Sequence, residues 1–277
     1  MFLAAAIQLN CTSDVDRNWE QCETLVRRAA AAGATLLATP ECTNYLGPHD
    51  RKVRIAEPVE GPTIQRYGEL AAELGVWFIV GSFNERSQDP SRCYNTTVVL
   101  RPDGSVAQTY RKVHLFDVDH SDAVRFLESN TTVPGTQPTV ARTSIGDIGL
   151  SICYDLRFPE HYRRLVDDGA QILTVPAAFT ATTGKAHWEP LLRARAIESQ
   201  AYVIAPGQFG HHDDDGLRDS HGHSMIIDPW GTVLACCADG VGLCLAEIDL
   251  ERVKKVRRGM PCASHRVLGI PVPGRTA

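Results

Sequence analysis

Three reactive side chains in this chain each follow a run of strand-forming residues: Glu41 in ATPECTNY, Lys112 in TYRKVHLFDVD and Cys153 in GLSICYDLRFPE. A carboxylate, an ammonium and a thiol are the parts of a nucleophilic acyl-transfer site: a base, an oxyanion partner and an attacking atom. Cys153 has the most specific surroundings. A strand ends on it, a tight polar turn follows, and a helix begins near Phe158, an order that can present a nucleophile on an elbow. Helix N–H dipoles and a nearby cation would lower its pKa and favour the thiolate. Beside each functional reading stands a plain one: a core cysteine, a solvated loop glutamate and a surface lysine. If Glu41 is buried beside the thiol its pKa should rise, fitting it for general-base work. Near a carbonyl carbon, Lys112 would stabilise a developing oxyanion.

Strand-like and helix-like stretches alternate along the chain. Strands are expected over Phe2–Leu9, Thr35–Thr39, Val76–Val80, Asp147–Ile152, Gln171–Val175, Tyr202–Ala205 and Leu243–Ile248. Helices are expected from Asp14 to about Ala32, over Pro62–Leu74, Phe158–Val166, His187–Gln200 and Leu250–Arg258. The turns RPDG and DPWG read as hairpins between Thr96–Leu100 and Ser105–Tyr110 and between His223–Ile227 and Thr232–Cys236. Residues 113–138 read as one long irregular stretch, a length that usually serves function. No linker stands out over residues 1–277, so the pattern predicts one α/β domain with mixed sheets covered by helices, and a tail from about residue 259 that is extended. In such sheets ligands gather beyond the carboxyl ends of strands, where Glu41, Lys112 and Cys153 fall.

The composition excludes several classes. Of 277 residues, 43% are hydrophobic and 22% charged, which fits an ordinary globular chain. A formal net charge of −5 argues against a dedicated nucleic-acid binder. No apolar run approaches the ~18 residues of a membrane span. MFLAAAIQLNC lacks the basic start and longer apolar stretch of a secretory signal, and the C-terminal RTA matches no targeting or lipidation signal. Nine scattered cysteines without a C-x-x-C pair read as reduced thiols in a cytoplasmic protein; the sequons at Asn10, Asn95 and Asn130 then carry no meaning. His211, His212, Asp213, Asp214, Asp215, His221 and His223 crowd together, but the run reads better as a solvated loop than as a metal site. A papain-like cysteine–histidine pair using His114, His187 or His223, and a non-catalytic binding module, are the competing readings. Nucleotide-binding glycine motifs are absent.

PEC around Glu41, YRKVHLFDVD around Lys112 and GLSICYDLRFPE around Cys153 resemble the three signatures of the nitrilase (carbon–nitrogen hydrolase) superfamily, in the same order. Pro176–Gln208, GHSMIIDPWGTVLA and GLCLAEIDL resemble its Nit branch, and HSDAVRF stands where that branch commonly has a glycine-containing, less charged stretch. The resemblance implies a four-layer αββα sandwich that dimerises through helices near the Cys153 helix and the C-terminal region. It implies Glu41 as general base and acid, Lys112 as oxyanion stabiliser with the Tyr154 backbone N–H, Cys153 as nucleophile and Glu128 as a supporting carboxylate. It implies a small carboxylate-bearing amide as substrate, hydrolysed to acid plus ammonia through a thioester without metal or organic cofactor. Arg157 is then the candidate for the distant carboxylate, its alternative role being an ion pair with Asp155 or Glu160, and Phe179 and Thr183 flank the substrate. The implied substrates are deaminated glutathione first, with ω-amides of α-keto acids and N-carbamoyl amino acids as alternatives.

Overall fold

The computed structural model describes residues 1–120, 124–212 and 219–267. Strand β1 (Phe2–Gln8) leads to helix α1 (Val15–Ala31), whose first turn is capped by the Asp14 side chain accepting from the Arg17 N–H. β2 (Ala34–Ala38) ends just before Thr39 and Pro40. A six-residue helix, α2 (His49–Arg54), comes next and has no counterpart in the sequence reading. α3 (Pro62–Leu74) starts on a proline and stops at Gly75 in the left-handed region, the two signals that located it. β3 (Trp77–Arg86) runs six residues past the expected end because its register slips between Val80 and Phe83 rather than stopping. β4 (Cys93–Leu100) and β5 (Val106–Arg111) form the expected RPDG hairpin.

Residues 113–138 are more ordered than expected. β6 (Asp117–His120) and β7 (Val124–Leu127) pair as an antiparallel ribbon, and a single 3-10 turn over Glu128–Asn130 follows. Residues 121–123 of the HSDAVRF stretch lie outside the described residues. Four-residue strands rich in charge carry too little alternation to be read as a pair. β8 (Thr139–Ala141) and β9 (Ile148–Leu150) precede a 3-10 turn over Cys153–Arg157 and helix α4 (Pro159–Asp167). β10 (Ile172–Thr174), α5 (Ala181–Ser199) and β11 (Tyr202–Ala205) follow. α5 begins six residues earlier than expected and carries Pro190 inside it. β12 (Phe209–His211) and β13 (Asp219–His221) form a short ribbon, and β14 (Met225–Ile227) and β15 (Val233–Cys236) the expected DPWG hairpin. β16 (Gly242–Ile248), α6 (Leu250–Gly259) and a short α7 (Cys262–His265) complete the described chain; α7 occupies the start of what was expected to be an extended tail.

Two six-stranded sheets share one plan. The first has the order β16-β1-β2-β3-β4-β5, the second β15-β14-β11-β10-β9-β8. In each, three consecutive parallel strands (β1-β2-β3 and β9-β10-β11) are flanked by antiparallel neighbours. Alternation along the strands splits the core into layers. Ala5, Ile7, Leu37, Phe78 and Val80 pack outward against Trp19, Leu25 and Val26 of α1 and Ile64, Tyr67 and Leu70 of α3. Ala4, Ala6, Leu36, Ala38 and Ile79 pack inward, in one cluster with Leu150, Ile172, Val203 and Ile226 of the second sheet and Tyr162, Leu165, Trp188 and Leu192 of α4 and α5. The result is the αββα sandwich the resemblance implied. Small alanines on the inward face let the two sheets approach, which brings the strand ends of both sheets to one place.

Candidate active site

Glu41 follows β2 in the first sheet, and Cys153 follows β9 in the second. β5 is antiparallel to β4, which is antiparallel to β3, so β5 points the same way as the parallel strands and delivers Lys112 to the same end. All three side chains are buried: 5% of Glu41, 2% of Lys112 and 8% of Cys153 is exposed. Lys112 Nζ donates to Glu41 Oε1 at 2.9 Å and to Glu128 Oε2 at 2.9 Å. The Cys153 thiol lines the same pocket as Glu41, whose charge acts on it. Glu41 Oε2 accepts the Ala178 N–H at 2.9 Å, so its two oxygens are held from different sheets. Glu128 Oε2 also accepts the Phe116 N–H at 2.7 Å, which ties it to the residues just before β6.

Cys153 sits at φ 47°, in the left-handed region that a side chain with a Cβ rarely occupies. Strain of this kind persists where surrounding structure enforces it. Here the Cys153 N–H donates to Pro176 O at 2.9 Å and the Asp155 N–H to Ile152 O at 3.0 Å. The Asp155 carboxylate closes the turn by accepting the Ile152 N–H at 2.8 Å, the Tyr110 hydroxyl at 2.7 Å and the His114 N–H at 3.0 Å, with His114 Nδ1 at 2.7 Å.

The electrostatics differ in one respect from expectation. Burial, then the neighbouring Glu41 carboxylate, push the Cys153 thiol well above its ordinary pKa, and Lys112 opposes them without prevailing. Cys153 therefore rests as a thiol, not as the thiolate the turn and cation were expected to favour. Burial alone would depress the Lys112 ammonium, yet Glu128 and Glu41 outweigh it and hold the lysine charged. Burial alone would raise the Glu128 carboxyl, but Lys112, Lys52 and the Phe116 N–H lower it to about 2.

These groups open into a small pocket of about 50 Å³. Tyr154, Arg157, Phe179 and Thr183 line it, as do Lys52, Phe116 and Phe126. The candidates selected by sequence thus share one cavity. Arg157 lies 3.4 Å from His187 Nδ1 and over the Phe179 ring; among the described residues it makes no ion pair, and Asp155 is engaged elsewhere. Thr183 Oγ1 lies 2.7 Å from Thr180 Oγ1.

Sequence reasoning missed Asn95 and Lys52. Asn95 Nδ2 donates to Glu41 Oε1 at 2.8 Å and to Glu128 Oε1 at 3.2 Å, spanning the two carboxylates. An asparagine amid the β-branched run of β4 is out of place for a strand, and that is the signal the sequence offers beyond the sequon. Gln208 was missed too: it donates to Glu41 O at 2.9 Å and so fixes the backbone of Glu41.

Among the described residues the competing readings find no such geometry. None of His114, His187 and His223 borders the pocket; His114 pairs with Asp155, and His223 lies 3.5 Å from Asp239. Of the polar run, His211 pairs with Asp219, buried His212 meets Cys11 O and Ser220 Oγ, and His221 stacks on His223. Asp213, Asp214 and Asp215 lie outside the described residues. Among the described residues the one group with metal-ligating spacing is His114, Asp155 and His161, whose polar atoms already bond Leu150 O, Tyr110 and the Cys153 turn.

A family model described as carbon-nitrogen hydrolase matches residues 3–258. The chain belongs to the carbon–nitrogen hydrolase family. It is thus a hydrolase of non-peptide carbon–nitrogen bonds in the nitrilase superfamily. Among curated relatives of this hydrolase, the bovine (Bos taurus) deaminated glutathione amidase is 46% identical over 95% of this chain and 81% of its own length. Among solved structures, the NitFhit protein of C. elegans superposes with a TM-score of 0.90 at 38% identity, covering 96% of this chain; the hydrolase spans 65% of that longer protein. Nit3 of Saccharomyces cerevisiae, a member of branch 10 of the nitrilase superfamily, superposes at 0.85 with 30% identity, covering 96% of this chain and 97% of Nit3. No helix among the described residues is long and apolar enough to cross a membrane.

Proposed function

We propose that this hydrolase cleaves the amide of deaminated glutathione, with Cys153 as nucleophile, Glu41 as general base and acid, and Lys112 with the Tyr154 backbone N–H as oxyanion stabilisers. The observation that carries the reading is the convergence of buried Glu41, Lys112 and Cys153 on one pocket, with the Lys112 ammonium 2.9 Å from Glu41 Oε1. Glu41 takes the thiol proton as sulfur attacks the amide carbonyl. Lys112, kept charged by two carboxylates, faces the negative charge that develops on oxygen; donors of this kind are typically worth about 100- to 1,000-fold in rate. When the intermediate collapses, Glu41 returns the proton to the departing nitrogen and a thioester remains on Cys153. Water, deprotonated by Glu41, then attacks the thioester and releases the acid and the thiol. Glu128 supports the site by fixing Lys112, and no cofactor enters any step.

Arg157, unpaired with any carboxylate among the described residues, supports an acidic substrate; Phe179 and Thr183 border the same cavity. For a primary amide the nitrogen leaves as ammonia. In deaminated glutathione the scissile nitrogen belongs to cysteine and leaves as cysteinylglycine. The test is parallel turnover of deaminated glutathione, α-ketoglutaramate and an N-carbamoyl amino acid, following keto acid together with thiol dipeptide or ammonia. Deaminated glutathione should have the highest kcat/KM; turnover of the carbamoyl compound alone would overturn the reading. A homodimer fits the half-exposed Ile197 and Met260, which border one groove between α4, α5 and the C-terminal helices.

A further inference from the structure

Two cations border the pocket without a carboxylate partner among the described residues, and they stand on different walls. Arg157 lies against Tyr154, Phe179 and His187, beside the nucleophile. Lys52 belongs to α2 and lies across from the residues that follow the 3-10 turn over Glu128–Asn130, where its Nζ donates to Thr132 Oγ1 at 2.8 Å. The helix's own acid does not neutralise it, because Asp50 pairs with Arg54 at 2.7 Å. Neighbouring His49 borders the pocket too, with Nδ1 3.1 Å from Thr131 Oγ1. Within the cavity Glu41 and Glu128 outweigh Lys112 by one negative charge; Lys52 and Arg157 turn the balance positive. A positive cavity with separated cations favours a ligand carrying more than one carboxylate.

We propose that Lys52 is a specificity residue that holds the carboxylate of the leaving portion of the substrate, while Arg157 holds that of the acyl portion. The inference rests on the proposed function and narrows it: the preferred substrate is an amide with the scissile bond between two carboxylates. Deaminated glutathione has that form, its keto-acid carboxylate on one side and the glycine carboxylate on the other. A primary ω-amide such as α-ketoglutaramate has only the first. The hydrogens of Lys52 not given to Thr132 provide the donors, and partial burial of the ammonium makes such a contact stronger than it would be in water.

The test is steady-state kinetics of wild type, Lys52→Met and Lys52→Arg on three substrates: deaminated glutathione, its glycinamide form lacking the terminal charge, and α-ketoglutaramate. Lys52→Met should lower kcat/KM for deaminated glutathione relative to α-ketoglutaramate by about tenfold or more, chiefly through KM, and Lys52→Arg should recover part of the ratio. Wild type should discriminate against the glycinamide form, and Lys52→Met should erase that discrimination. Equal losses on all three substrates would mean that Lys52 acts through Glu128 or Thr132, and would overturn the inference. So would a wild type indifferent to the terminal charge. Neither result touches the amidase reading, which fails separately if wild type hydrolyses neither keto-acid amide.

Discussion

The Tyr110 hydroxyl donates to Asp155 Oδ2 at 2.7 Å, which joins the strand that delivers Lys112 to the turn that delivers Cys153. Asp155 is fully buried, and burial alone would raise its pKa; bonds from His114, Tyr110 and the Ile152 N–H, with His161 nearby, hold it down instead. One carboxylate therefore sets the spacing between Cys153 and Lys112 across two sheets.

Asp155→Asn keeps the size of the side chain but turns an amide N–H toward groups that already donate. Stability should fall by about 1–3 kcal/mol, read as a lower urea midpoint. Misplacing the elbow should lower kcat by about 10- to 100-fold with KM little changed. A purely structural role would leave the kcat of the folded fraction intact.

Because burial and Glu41 keep Cys153 protonated, the resting enzyme should carry no thiolate there at neutral pH. The difference in absorbance at 240 nm between wild type and Cys153→Ser should be near zero at pH 7. A full thiolate signal would show that Lys112 prevails over Glu41.

Glu128, lowered to about 2 by Lys112, Lys52 and the Phe116 N–H against the opposing effect of burial, links stability to acid. Its folded-state pKa lies below the unfolded value of about 4.3, so its contribution is complete above that value and is lost as pH falls toward 2. Urea midpoints should decline from pH 5 to pH 2, and less steeply in Glu128→Gln. Parallel declines in the two proteins would contradict the assignment.

At Gly81 in β3 an added Cβ would lie 1.9 Å from Thr39 O and 2.4 Å from Pro40 O. Backbone cannot yield as a side-chain tip can, so Gly81→Ala should push away the segment that carries Glu41. A destabilisation of about 1–3 kcal/mol should accompany a loss of kcat. An unchanged kcat would mean that Glu41 is positioned independently of β3.

Much of this was legible in the sequence because its signals are local. Pro62 and Gly75 bracket α3, RPDG and DPWG close hairpins, and a strand end precedes each of Glu41, Lys112 and Cys153. What stayed hidden depends on tertiary contact. α2 has only six residues and no fully buried face, so Lys52 gave no periodic signal. Asn95 acquires meaning only when two carboxylates from elsewhere converge on it. The state of Cys153 could not be read from its turn, because Glu41 arrives from the other sheet.

The central claim is that Cys153 forms the bond to the acyl group, and the most direct measurement is kcat of Cys153→Ala on deaminated glutathione, with thermal unfolding matched to wild type. Turnover should fall by at least ~10⁴-fold, the scale of losing a nucleophile, while the protein stays folded. Turnover within tenfold of wild type in that folded variant would contradict the account.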